Sequence, residues 1–102
     1  MLKVEIVMDE EKILAEGKYP LKDVYFTLDK VFFSKKLKKL GEGIYCDNGS
    51  EQDFANLWVV IFALQEQEWF ADNVKKWLWY NDHGGKIQEV EPEDLLVELM
   101  GA

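Results

Sequence analysis

Cys46 and His83 are the only thiol and the only imidazole in the chain. Nucleophile–base chemistry through a thiol or an imidazole therefore has to use these two residues. A catalytic thiolate needs a nearby base or a helix N-terminus to lower its pKa. Cys46 instead follows Ile44-Tyr45 in a β-prone stretch, the setting of a small core residue. His83 falls in the turn Asn81-Asp82-His83-Gly84-Gly85, where an imidazole ordinarily caps a helix end or stands in water. No spacing or local motif brings the two together.

Oxygen ligands are no better arranged. Asp47, Asn48, Glu51 and Asp53 cluster around one turn, but their spacing departs from the calcium-binding EF-hand loop. The expectation is an acidic, solvated turn. Zinc needs several Cys and His ligands, and the chain has one of each. Glu66 and Glu68 stand at a helix start, where acids complement the dipole. Gly41-Glu42-Gly43 is too short for a phosphate loop and lacks the following Lys-Ser/Thr. The sequence thus assigns no catalytic residue, metal ligand or cofactor.

Two features suit binding. Lys35, Lys36, Lys38 and Lys39 form a basic cluster able to meet phosphate or an acidic protein. The same lysines would complement the dipole at a helix C-terminus. The second feature is Trp79-Tyr80. On a helix Trp79 would project about 200° from Trp77, so the two would not share one core face. Trp79 and Tyr80 are then either covered by residues 92–100 or form an exposed contact patch.

Composition limits the partners. All twelve basic residues are lysine and the net charge is −8. The absence of arginine removes the side chain best suited to bidentate phosphate or guanine contacts. Residues 1–41 hold nine lysines against seven carboxylates, while residues 42–102 hold three against thirteen, a net of −10. Such a half repels nucleic acid and anionic membranes and favours a basic protein partner. A single cysteine excludes an intramolecular disulfide. Glu5 falls where a signal peptide needs apolar residues, and no apolar run reaches the ~18–20 residues of a membrane span. The expected location is the cytoplasm. The lysine-only, acidic, aromatic-rich composition resembles that of small proteins of low-GC Gram-positive bacteria; this is a likeness of composition and carries no site residues.

The elements that must position these groups follow from periodicity. Leu2, Val4, Ile6 and Met8 alternate as a half-buried strand. Asp9 caps a helical turn over Glu10–Glu16 that Gly17 ends. Pro20 opens a helix with Leu21, Val24, Tyr25, Leu28, Val31 and Phe32 on one face, running to about Ser34–Lys36. Leu40 to Asp47 reads as a strand, and Asn48-Gly49 as a tight turn. Phe54 to Leu64, apolar but for Asn56, reads as a strand buried on both faces. Trp69, Phe70, Val74, Trp77 and Leu78 read as one face of a helix ending near Asn81. Lys86 to Val90 is a short extended piece, and Pro92 opens a last helix bearing Leu95, Leu96, Leu99 and Met100.

The expected order is β-α-β-β-α-(β)-α over a single domain, residues 1–102. It describes a small two-layer α+β sandwich, with helices on one face of an antiparallel or mixed sheet, as a ferredoxin-like or split-βαβ variant. The functional expectation is a non-enzymatic protein–protein interaction or regulatory module. It would act through its acidic half or its aromatic surface, by binding a basic partner as an immunity-type protein does or by pairing as a homodimer. The alternative is a small enzyme using Cys46, His83 or the turn carboxylates.

Overall fold

A computed structural model describes residues 1–83, 85–87 and 90–101. Strand β1 (Leu2–Met8) leads into helices α1 (Glu10–Glu16) and α2 (Leu21–Phe33). A hairpin of β2 (Lys38–Gly41) and β3 (Ile44–Cys46) follows, then α3 (Asp53–Gln65) and α4 (Glu68–Ala71). The chain closes with β4 (Val74–Asn81), β5 (Glu93–Asp94) and α5 (Leu95–Met100). The strands form one open antiparallel sheet in the order β2-β3-β1-β4-β5. This is a small α+β protein.

β1 is central because its alternation suits a strand covered on one side. Val4, Ile6 and Met8 are buried while Lys3, Glu5 and Val7 are half-buried. Its neighbours continue the pattern: Val4 faces Tyr45 and Trp79, and Ile6 faces Trp77. Onto this side pack Ile13 of α1, Val24, Leu28 and Phe32 of α2, Leu57, Val60, Ile61 and Leu64 of α3, and Leu95 of α5. Phe32 stacks on Tyr45 with ring centroids 3.9 Å apart, and the Tyr45 hydroxyl donates to Asp29 Oδ1 at 2.5 Å. The opposite side stays open, with Lys3 4.2 Å from the centre of the Tyr80 ring.

The capping signals act as read. The Asp9 carboxylate accepts the Lys12 amide, and Gly17 closes α1 in the left-handed region. Gly43 makes the β2–β3 turn possible. Its φ is +75°, its carbonyl accepts the Ile6 amide at 2.8 Å, and a Cβ there would lie 2.2 Å from the Ile6 carbonyl oxygen. Only glycine admits that approach.

Four sequence expectations are corrected. Phe54–Leu64 is not an interior strand but most of helix α3. Its buried set Leu57, Val60, Ile61 and Leu64 has helical spacing, and the outward positions are also apolar, which hides the period. Trp69–Asn81 is not a helix. It divides into α4 and strand β4, in which Trp77 and Trp79 share a face because side chains alternate with period two. Leu40–Asp47 is not one strand: a turn at Glu42-Gly43 separates β2 from β3. Asn48-Gly49 therefore does not link two strands; it leads into α3. Of the extended piece expected at Lys86–Val90, Gln88 and Glu89 lie outside the described residues.

Candidate functional site

Helix α3 has two apolar faces and needs only one to stay in place. Leu57, Val60, Ile61 and Leu64 are at most 2% exposed. On the outer side Phe54, Val59 and Phe62 are 53%, 51% and 52% exposed, with Ala55 and Ala63 exposed and Trp58 half-buried beside them. No charged residue occurs from Phe54 to Gln65. A surface helix ordinarily turns polar residues outward.

The outer aromatics form a row. Phe54 and Trp58 have ring centroids 6.5 Å apart, and Trp58 and Phe62 5.5 Å, as i,i+4 neighbours do. Trp79 of β4 backs this row, 5.1 Å from Trp58 and 6.0 Å from Phe54. The Trp58 indole N–H is buried and has no acceptor among the described residues.

Beyond Trp79 lies an acidic edge. Trp79 pairs with Glu93 of β5, and a shallow pocket of about 270 Å³ includes Trp79, Glu91 and Glu93 in its lining. The Asp94 carboxylate caps α5, accepting the Leu96 and Val97 amides at 3.0 and 3.4 Å. Gln65 Nε2 donates to the Leu99 carbonyl at 2.8 Å, tying the end of α3 to α5. Glu98 of α5 is exposed. Its carboxyl is pushed up from the usual range, first by desolvation and then by Glu93 and Asp94. Among the described residues no lysine forms an ion pair with Glu91, Glu93, Asp94 or Glu98. An uncharged aromatic ridge thus runs beside an acidic rim.

The residues singled out from the sequence fall in separate places: Trp79 and His83 share one pocket, and Lys35 and Lys36 share another with Asn48 and Asp53. Trp79 is 4% exposed and forms the floor beneath the α3 row. Tyr80 is half-buried on the opposite side of the sheet, donating to Glu5 Oε2 at 3.0 Å. Lys35 and Lys36 follow the end of α2, but Lys38 and Lys39 belong to β2. Lys39 pairs with Asp29 at 2.8 Å and Glu42 at 3.8 Å; the hydrogen bond to Asp29 chiefly raises its pKa.

Cys46 is buried but stands outside the main apolar cluster, paired with Lys3 on the open side of the sheet. Burial, then the Asp47 carboxylate, pushes its thiol up, away from the thiolate form. His83 is exposed just past β4, its amide donating to Asn81 Oδ1. Strand β1 lies between β3 and β4, separating these two residues' chain segments by about two strand spacings of ~4.8 Å.

The turn carboxylates serve the backbone. Asp53 is 3% exposed, and its Oδ2 accepts the amides of Asn48, Gly49 and Ser50 at 2.8, 2.9 and 2.9 Å. Asp47 Oδ2 accepts the Leu2 amide at 3.0 Å. No group of three or more metal-ligating side chains occurs among the described residues. Nor is any helix among them long and apolar enough to cross a membrane.

Compared with known proteins, the chain matches no family model, no curated protein and no solved structure. The site is therefore read from its own residues. Phe54, Trp58, Val59 and Phe62 were missed as surface residues in the sequence because their neighbours inside the helix are equally apolar. The available signal was length: as a strand, eleven residues would span about 36 Å, roughly twice the common strand length.

Proposed function

We propose that this protein is a small non-catalytic protein–protein interaction module, with a cytoplasmic setting, and that it binds through the outer face of α3. The observation that carries this reading is the exposed, uncharged aromatic row Phe54–Trp58–Phe62 with Val59 beside it. Half the surface of an aromatic side chain is about 100 Å². The whole patch is on the order of 400 Å², the size at which an apolar patch on a monomer is often functional. Trp58 and the two phenylalanines are also the residue types that anchor interfaces.

The enzyme reading has less support. Cys46 and His83 belong to chain segments with β1 between them, and one oxygen of each of the turn carboxylates Asp47 and Asp53 accepts backbone amides.

Photo-crosslinking tests the reading. A photoreactive residue at position 59 should capture a partner in the native host, and one at position 22, on exposed Lys22 of α2, should not. Equal capture from both positions would count against α3 as the binding face.

A further inference from the structure

We propose that the occupant of the α3 face is a basic amphipathic helix of another protein, its apolar side chains on the Phe54–Trp58–Phe62 row and its lysines or arginines against Glu91, Glu93 and Glu98. This inference rests on the reading of α3 as a binding surface and adds the chemistry of the partner.

Charge selects the partner. The row itself carries no charge, so it does not discriminate by sign. The rim does. Glu93 lies opposite Trp79 in the sheet, and Trp79 touches both Phe54 and Trp58. Glu98 is coupled to Glu93 through their carboxylates. These acids have no lysine partner among the described ion pairs, and residues 42–102 carry a net of −10. A cation placed beside the ridge relieves this repulsion and gains complementarity.

The other occupants fit less well. A second copy would pair identical patches, as a two-fold interface requires. It would bring one acidic rim toward another and one −8 chain against its equal. The apolar area, on the order of 400 Å², is also half of the ~800 Å² that each partner buries in a standard interface. The ridge therefore needs polar contacts at its margin, and those beside Trp79 include Glu91 and Glu93. An added strand would have only the two residues of β5 to pair with beside this ridge. A ridge spaced i,i+4 instead matches the grooves of a helix.

The test uses the full chain and three synthetic peptides, followed by fluorescence anisotropy and calorimetry. The first is a Leu/Lys amphipathic helix. The second has the same apolar face with Glu for Lys. The third has the composition of the first in an order that forms no apolar face. The first should bind at least about tenfold more tightly than the others, and added salt should weaken it. Phe62→Ser with Val59→Ser should weaken binding about tenfold or more. Glu93→Gln with Glu98→Gln should weaken it by roughly threefold and flatten the salt dependence.

Equal binding of the Lys and Glu helices, lost in the Val59/Phe62 variant, overturns the basic partner while leaving α3 as the binding surface. Binding that this variant does not change, or none with any peptide, overturns the proposal. So does a dimer in sedimentation analysis that Phe62→Ser dissolves, which assigns the face to a second copy.

Discussion

The indoles of Trp58 and Trp79 lie 5.1 Å apart with their planes at 54°, joining a surface helix to the strand beside the central one. Trp79 pairs in the sheet with Val4, which is fully buried. The α3 row is thus anchored in the core through one side chain, while Phe54 and Phe62 on either side of Trp58 remain half exposed. That arrangement gives a contact surface whose aromatic groups are positioned before any partner arrives, which lowers the ordering cost of binding.

The two sides of α3 should respond differently to substitution. Val59→Ser and Phe62→Ser remove side chains that are about half in water, and each should cost roughly 1 kcal/mol. Leu57→Ala and Ile61→Ala vacate fully buried positions and should cost about 2–5 kcal/mol each. Urea unfolding of the four variants checks this. Similar losses on both sides would show that α3 is turned otherwise.

Asp53 should be worth more than its place in a surface turn suggests. Replacing it with Ala removes the acceptor of three amides at Asn48, Gly49 and Ser50. The loss should be about 2–4 kcal/mol, with Asp53→Asn falling between Ala and the parent because it keeps one carbonyl oxygen. Denaturant midpoints decide it. A neutral Asp53→Ala would mean that the turn 48–50 is held by other contacts.

Stability should fall at alkaline pH. Burial, and then the hydrogen bond to Asp29, hold the Tyr45 phenol well above its ordinary value of 10.0. Above pH ~10 the unfolded chain has released this proton and the folded chain has not. The folded state then binds more protons, so stability falls as pH rises, by about 1.4 kcal/mol per pH unit for each such proton. Lys39, also raised and also bonded to Asp29, acts in the same sense: its contribution is present below its unfolded pKa and is lost as pH rises through the folded one. Tyr45→Phe should cost about 1 kcal/mol at neutral pH and make the alkaline fall shallower. An unchanged slope between pH 9.5 and 11 in that variant would contradict the assignment.

The fold was legible in the sequence where one side of an element is apolar and the other polar. β1, α1 and α2 are of this kind, with caps at Asp9, Gly17 and Pro20; the last helix was legible as an element, but it starts at Leu95 behind the Asp94 cap and not at Pro92. It was not legible between Asp53 and Asn81, where both sides are apolar. There the sequence pattern exchanges the positions of the helix and the strand. The angle of about 200° that a helix would place between Trp77 and Trp79 was itself the sign of a strand, since alternation puts both on the core face. The candidate site was hidden by the same ambiguity. A run without charge reads as buried throughout, and only the packed structure shows that Phe54, Val59 and Phe62 are left outside.

Cys46→Ala should leave partner binding within about twofold of the parent, since its side chain lies across the sheet from the α3 row, whereas His83 lines the pocket beside Trp79, Glu91 and Glu93. Cys46 stands on the open side of the sheet beside Lys3, and His83 is an exposed residue past β4. Affinity measured by calorimetry with the Leu/Lys helix, together with melting temperature, checks this. A loss of binding with an unchanged melting temperature in the Cys46 variant would return that residue to the centre of the function.

Nucleic acid should not bind appreciably near 0.15 M salt, where affinity comes chiefly from neutralised phosphates. The candidate basic patch is smaller in space than in sequence. Lys39 is held by Asp29 and Glu42, Lys35 is half-buried, and Lys38 lies on the edge strand β2 rather than at the helix end. Opposing it is a net of −10 over residues 42–102. A gel-shift titration with duplex DNA and with single-stranded RNA provides the measurement. Micromolar binding at that salt, abolished when Lys35, Lys36, Lys38 and Lys39 are all replaced by Gln, would show that the local patch outweighs the acidic half, and the basic-protein partner would lose its electrostatic basis.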